Sequence, residues 1–250
     1  MRIDVLTSGI WQTTSTIIEV DGACLVIDPA YFPRELEAIA AHTAELGRIE
    51  AVVFTHGHWD HVMGHTAFDA PVWVSQTLEH SIITGHPRAA KYLEDARDFD
   101  SRWYVPRPRG HAWPLARRAL ADEEHLALGR ELIRVLQLPG HSPDGLGLVA
   151  GDTLLVGDYL SPCEIPFVDN LDAYLVTLRR LIEVIEHGVR EVIPGHGPRL
   201  TRAEAVAIAR ADLAYLERLL ADGDAPLPRA ADVIGMRDHH LENLAKLRSG

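Results

Sequence analysis

The sequence predicts an α/β fold, a pseudo-symmetric sandwich of two related halves whose loops converge on one edge. Three observations carry this reading. TSTIIEV, the turn Asp21-Gly22 and ACLVIDPA form a hairpin signal, and a helical pattern and the short apolar strand EAVVFT follow it. GLGLVAGDTLLVGDYL, NLDAYLVTLRRLIEVIEHG and REVIPGHGP repeat the layout of hairpin, helix and strand. In each half the second hairpin strand ends near an aspartate, Asp28 or Asp158, and the strand after the helix runs into a histidine loop.

Pro33 opens the first helix, PRELEAIAAHTAEL, which carries Leu36, Ile39 and Leu46 on one face and stops at Gly47. The helix of the second half places Leu171, Tyr174, Leu175, Leu178, Leu181, Ile182 and Ile185 on one apolar stripe. Residues 124–138 read as another hairpin, around Gly129. The C-terminal part, residues 201–250, reads as a helical extension: TRAEAVAIARADLAYLERLLADG, a linker with Pro226 and Pro228, then an amphipathic stretch. Residues 81–118 lack a regular pattern and are expected to form a lid or an insert. With no low-complexity tract and no clear linker, residues 1–250 are expected to form a single domain.

The chain has 250 residues, 47% of them hydrophobic, enough for one large core. Its 24 Lys and Arg against 36 Asp and Glu give a net charge of -12, which provides no general attraction to nucleic acid. Cys24 and Cys163 are too few for a disulfide framework, which points to a reducing compartment. The start, MRIDVLTSGI, has no signal-like apolar region, and no stretch reaches the length of a membrane span. The expectation is a soluble cytoplasmic protein acting on a small molecule, without nucleic-acid or membrane partners. Homo-oligomerisation is compatible with this.

THGHWDH, residues 55–61, sets three histidines and an aspartate directly after an apolar strand. On an extended strand end His56 and His58 point the same way, and Asp60 and His61 follow where the chain turns. LPGHSPDG places His141, LLVGDYL places Asp158 and IPGHGP places His196 on the same plan of apolar strand, permissive glycine and donor. Five histidines and two aspartates thus stand at strand ends, where α/β folds put their sites. They suit Zn²⁺ or Fe, and their number suits two ions. His65 reads as structural, on the helix after the loop. His86, His111 and His125 have no strand-end context, and His239 and His240 read as a solvated pair.

His-x-His-x-Asp-His, Gly-His, Gly-Asp and Pro-Gly-His-Gly, in this order from Thr55 to Pro198 and preceded by VIDPA, resemble the metallo-β-lactamase fold superfamily. The resemblance implies an αβ/βα four-layer sandwich of two mixed sheets with outer helices and a dinuclear site on one edge. It implies two Zn²⁺, with Fe or Mn as alternatives. His56, His58 and His141 would hold the first ion, and Asp60, His61 and His196 the second. Asp158 would bridge both, and Asp28 would fix the tautomer of a ligand histidine. GDTL at 151–154 is closer to the family's usual Gly-Asp-Thr, but it lies at the hairpin tip, so Asp158 rather than Asp152 takes the ligand position. Cys163 does not occupy the ligand position that a cysteine holds in some β-lactamases.

The implied chemistry is attack by a metal-bridged hydroxide oriented by Asp60, with Tyr159 as an extra donor near the oxyanion. An ester-type hydrolase is expected, a thioesterase or lactonase similar to glyoxalase II or acyl-homoserine lactonases. An iron-dependent persulfide dioxygenase, a phosphodiesterase or nuclease, and a β-lactamase-type amide hydrolase are the alternatives. Residues 99–118 hold Arg102, Arg107, Arg109, Arg117 and Arg118 with Trp103, Tyr104 and Trp113. Prolines 106, 108 and 114 favour an extended path. This segment is expected to be a lid, with Trp103 and Arg107 receiving an anionic substrate. The competing expectation is an insert whose arginines pair with acidic residues.

Overall fold

A computed structural model describes residues 1–83, 87–228 and 235–249. Among these, twelve strands form two six-stranded sheets. The first sheet runs in chain order: β1 (Arg2–Thr7), β2 (Thr14–Val20), β3 (Ala23–Ile27), β4 (Arg48–Val53), β5 (Val72–Ser75) and β6 (Ala116–Leu120). β1 to β3 pair antiparallel, and β3 to β6 pair parallel. The second comprises β7 (His125–Leu128), β8 (Glu131–Gln137), β9 (Leu146–Ala150), β10 (Thr153–Leu155), β11 (Glu191–Ile193) and β12 (Leu200–Thr201). Its spatial order reverses the chain, and only β10 and β11 pair parallel. The units β2-β3-β4 and β9-β10-β11 therefore share one topology, an antiparallel hairpin whose second strand pairs parallel with the strand after a helix.

The period-2 alternation of the strands sets the layers. Ile18, Leu25, Ile27, Ala51 and Val53 of the first sheet face Ile133, Val135, Leu148, Leu155 and Ile193 of the second, forming the central core. Their neighbours Ile17, Val26 and Val52 face outward, against Leu36 and Ile39 of α1 (Pro33–Leu46). Leu154 and Val192 face outward from the second sheet, against α5 (Leu171–Glu186) and α6 (Arg202–Asp222). Three apolar cores separate four layers, helix–sheet–sheet–helix. The side chain of Asn170 caps α5, and a capping box of Thr201 and Glu204 opens α6. No helix among the described residues is long and apolar enough to cross a membrane.

Residues 81–118 are more regular than expected. They include the end of α3 (Gln76–Ile83), then α4 (Pro87–Trp103) and the start of β6. α4 is polar on average, and its Leu93, Ala96 and Phe99, at a spacing of three, form one narrow seam against the core between the first sheet and its helices. β5 and β6 are short strands that complete the parallel sheet, so Arg117 and Arg118 are strand residues. Arg118 pairs with Glu124 and lies over the Trp73 ring at 4.8 Å. Between α4 and β6 the chain is irregular, with a turn closed by Gly110 N donating to Arg107 O at 2.9 Å, and its prolines keep it from continuing the helix. His86 lies outside the described residues, as does the chain over 229–234 that joins the Pro226–Pro228 stretch to α7 (Met236–Ser249).

Candidate metal centre

All seven donors lie on one edge of the sandwich. His56 and His58 follow β4, Asp60 and His61 lie in the short α2 (Trp59–Val62), His141 follows β8, Asp158 follows β10 and His196 follows β11. The edge is stitched across the two sheets by Leu146 N donating to Thr55 O at 2.7 Å and Thr14 N donating to Gly195 O at 2.7 Å. Asp144, three residues after His141, accepts from Gly57 N at 3.1 Å and ties the His141 loop to the His56–His58 loop.

The donors fall into two groups. His56, His58, His141 and Asp158 converge in one, and Asp60, His61 and His196 in the other. His58 Nδ1 is 2.9 Å from His56 Nε2 and 3.0 Å from His141 Nε2. Asp158 Oδ2 lies 3.4 and 3.3 Å from the Nε2 atoms of His56 and His141. Its Oδ1 lies 3.2 and 3.4 Å from those of His61 and His196. One carboxylate thus turns one oxygen to each group. Asp60 Oδ2 completes the second, 3.5 Å from His61 Nε2 and 3.6 Å from His196 Nε2.

The outer ring nitrogens decide the tautomers. His61 Nδ1 donates to Asp28 Oδ2 at 3.0 Å, His141 Nδ1 to Phe167 O at 3.1 Å and His196 Nδ1 to Trp11 O at 3.0 Å. Thr55 Oγ1 donates to Asp28 Oδ2 at 2.5 Å, so it accepts from His56 Nδ1, 3.0 Å away. Each of these four rings therefore carries a proton on Nδ1 and turns Nε2 inward as the nitrogen that would coordinate. His58 is held by rings instead: Tyr92 of α4 meets it edge-on at 5.2 Å and itself stacks on Trp113.

The donor set fits a metal centre on two grounds. Asp158 Oδ1 is buried and receives no aligned hydrogen bond. Several inward nitrogens lie within about 3 Å of one another, a crowding that a shared cation relieves and that hydrogen bonds among lone pairs cannot.

The charges agree. Burial and repulsion from His56 and His141 hold His58 well below the ordinary histidine range. Burial alone would lower His61 and His196, but the Asp158 carboxylate outweighs it, raising His61 well above its usual value and His196 to about 10. The same imidazolium charges hold Asp158 well below the carboxylate range despite its burial. In the metal-free protein these rings keep protons at neutral pH that a metal must displace. The apparent metal affinity should therefore fall as pH falls below about 10, by about tenfold per pH unit for each proton displaced. Metal titrations at several pH values in weakly buffered solution check both the slope and the proton release. A pH-independent affinity would contradict this reading of the charges.

The centre opens into a cleft of about 1100 Å³. Trp11, Trp59, Tyr92, Phe167 and Met236 give it apolar walls, and Arg88 and Lys91 of α4 and Lys246 of α7 stand among its polar lining. Glu164 also faces the cleft, and no motif marked it in the sequence. Burial raises its carboxyl to about 7, the attraction of His196 being offset by repulsion from Asp158 and Asp60.

Several expectations change here. Tyr159 is not an oxyanion donor: its buried hydroxyl donates to Pro139 O at 2.8 Å and accepts from His141 N at 3.0 Å, so it shapes the His141 loop. Residues 99–118 are not the cleft wall. The Arg107 side chain is 6% exposed, donates from Nε to Asp100 Oδ2 at 2.6 Å and lies over the Tyr31 ring at 4.3 Å. Tyr31 and His111 also bond Asp100, each at 2.7 Å. Trp103 is 62% exposed and leans on Phe99, outside the cleft. Arg109 donates to Thr66 O. The lid expectation fails because composition does not reveal that buried Asp100, seven residues before Arg107, claims the guanidinium. Arg107→Ala should thus cost about 3 kcal/mol of stability, as loss of one partner from a buried pair does, with metal content unchanged. Denaturant unfolding beside elemental analysis checks this.

His239 and His240 are not merely solvated: His239 packs on Phe167 with ring centroids 3.9 Å apart, and His240 lies 2.8 Å from the Tyr215 hydroxyl. His65 is structural, its Nδ1 donating to Val62 O at 2.9 Å. Asp152 sits in an exposed turn beside Arg190, away from the centre. Cys163 is a free thiol outside the donor groups.

A sandwich of two mixed sheets with paired His/Asp groups on one edge defines the class, an αβ/βα fold that carries a candidate metal centre. The Metallo-beta-lactamase superfamily profile matches residues 8–198, and the chain belongs to that superfamily. It is 29% identical over 231 residues to a hydroxyacylglutathione hydrolase of Anaeromyxobacter dehalogenans, covering 85% of this chain and 74% of that protein. Two solved structures share the fold. A metallo-beta-lactamase family protein of Thermus thermophilus matches with a TM-score of 0.69, 24% identity and coverage of 99% and 93%. An archaeal superfamily protein of Sulfolobus tokodaii matches with a TM-score of 0.67, 19% identity and coverage of 99% and 98%.

Proposed function

We propose that this protein is a dinuclear metal-dependent hydrolase that cleaves an ester-type bond of a small organic substrate, a thioester first and a lactone second. The observation that carries the reading is the Asp158 carboxylate, which turns one oxygen toward each of two complete donor groups at the base of an apolar cleft. The likeness to a hydroxyacylglutathione hydrolase supports the thioester. Zinc suits the histidine-rich donors, and iron or manganese would fit the same atoms.

His56, His58 and His141 would hold one ion, Asp60, His61 and His196 the other, with Asp158 shared. When bound, the ions supply an activated water and an electrophilic anchor for the scissile carbonyl. The chain supplies the rest. Asp28 and the carbonyls of Trp11 and Phe167 keep protons on the outer ring nitrogens, so the inner ones stay free to coordinate. Asp60 is the more exposed of the two carboxylates, at 14% against 6% for Asp158, and it reaches the cleft where it can orient the attacking water. Trp11, Trp59 and Phe167 cover the apolar part of the substrate and exclude bulk water from the reacting carbonyl.

A substrate panel tests this on metal-loaded protein: acyl thioesters, lactones, phosphodiesters, β-lactams, and a thiol persulfide with oxygen uptake recorded. The highest kcat/KM should fall on a thioester or lactone and vanish on chelation. Persulfide-dependent oxygen consumption, or phosphodiester or β-lactam cleavage as the leading activity, would replace the assignment.

A further inference from the structure

The C-terminal helix α7 does more than cover the second sheet. Four of its residues, Met236, His239, Asn243 and Lys246, recur at spacings of three and four and so share one face. That face holds four consecutive residues of the loop before α5. Ile165 N donates to Met236 Sδ at 3.4 Å, and the Phe167 ring packs on His239. Val168 N donates to Asn243 Oδ1 at 3.1 Å, while Asn243 Nδ2 donates to Pro166 O at 2.7 Å. Lys246 Nζ donates to Val168 O. Asn243 is 3% exposed and uses both ends of its amide to bracket Phe167. The carbonyl of Phe167 accepts from His141 Nδ1, and the other nitrogen of that ring faces His58 and Asp158.

We propose that Asn243 is a positioning residue of the metal centre: by fixing Pro166 and Val168 it aims the Phe167 carbonyl at His141 Nδ1, and so sets the tautomer and angle of one ligand to the first ion. The inference rests on the dinuclear reading of the site. A side-chain amide suits this task because it donates and accepts in one plane, locking the peptide groups on both sides of Phe167 at once. Outer partners of ligand histidines typically govern about 10- to 100-fold in metal affinity. Asn243 stands one bond further out, and its effect on the first ion is expected near the lower end of that range.

The test uses cobalt(II), whose ligand-field absorption reports each coordination sphere as it fills, in competition with a chromophoric chelator. Wild type, Asn243→Leu, Asn243→Asp and Leu244→Ala are compared. Leucine keeps the volume and removes both hydrogen bonds. Aspartate keeps the acceptor for Val168 N and loses the donor to Pro166 O. Leu244 packs against the core beneath the same helix but, being apolar, makes no side-chain hydrogen bond to residues 165–168, and serves as the control for destabilisation. Asn243→Leu should weaken one of the two cobalt ions about tenfold and shift its absorption, leaving the other ion unchanged. Asn243→Asp should fall between it and wild type, and Leu244→Ala should bind both ions as wild type does.

Nitrogen NMR of the histidine rings in the wild-type metal-free protein gives an independent reading should Asn243→Leu fail to fold. The His141 signal, assigned by its loss in His141→Ala, should show a protonated Nδ1 that exchanges slowly, and Asn243→Asp should speed that exchange. Equal affinities in wild type and both Asn243 variants, or an equal loss in Leu244→Ala, would overturn the proposal while leaving the metal centre intact. Failure of wild type to bind two cobalt ions would instead overturn the dinuclear reading itself.

Discussion

Asp158→Ala should abolish turnover, and Asp152→Ala should not. Asp158 faces His56 and His141 with one oxygen and His61 and His196 with the other, so its removal takes a ligand from both ions. It also removes the negative charge that raises the proton affinity of His61 and His196. Removal of an outer-sphere partner costs about 10- to 100-fold, and removal of a shared ligand should exceed that. Asp152 lies in the β9–β10 turn, where its carbonyl accepts from Arg190 N at 2.7 Å and its side chain is exposed. Its replacement should change kcat/KM less than twofold or threefold, within the scatter of about 0.5 kcal/mol for surface sites. Steady-state kinetics with elemental analysis of both variants decides the matter. An inactive Asp152→Ala beside an active Asp158→Ala would mean that the ligand has been assigned to the wrong end of β10.

Gly195→Ala should come close to Asp158→Ala in effect, although it alters no donor. A Cβ at Gly195 would stand 2.3 Å from Asp158 Oδ1 and 3.0 Å from the carbonyl carbon of Gly157. Gly195 N also donates to Gly157 O at 2.6 Å, so the two loops cannot separate without losing that bond. A methyl group there must either swing the carboxylate off the second donor group or push the His196 loop outward. We expect more than about 100-fold loss of activity, with the second ion bound weakly. Gly188→Ala is the matched control, because nothing lies within 4 Å of a Cβ at that position. Normal metal content and activity in Gly195→Ala would show that the tight approach of the two loops is not needed.

The donors were legible in the sequence because each is local: an apolar strand, a glycine or tight turn, then a histidine or aspartate. The two hairpins, α1 and α5 were legible for a similar reason, since period and turn chemistry act within a dozen residues. α4 was not, because it joins the core through one narrow seam of Leu93, Ala96 and Phe99 in a segment that is polar on average. Of the partners that orient the histidines, Asp28 was anticipated, and the others escaped. The carbonyls of Trp11 and Phe167 carry no residue-type signature, and Asn243 reaches its targets only through the packing of α7. The basic and aromatic stretch after α4 was misread for the converse reason. Arginines and tryptophans are prominent in sequence, but whether they face a ligand or a buried Asp100 depends on tertiary contacts. The apolar cleft wall comes instead from Trp11, Trp59, Tyr92, Phe167 and Met236, which span much of the chain.

The most direct test of the dinuclear centre is a count of ions. Metal-free protein is reconstituted separately with excess zinc, iron and manganese, freed of loosely bound metal, and submitted to elemental analysis. Two ions per chain with at least one of these metals are expected, falling below two in Asp158→Ala. Saturation of the wild-type protein at one ion, or at none, with all three metals would contradict the account.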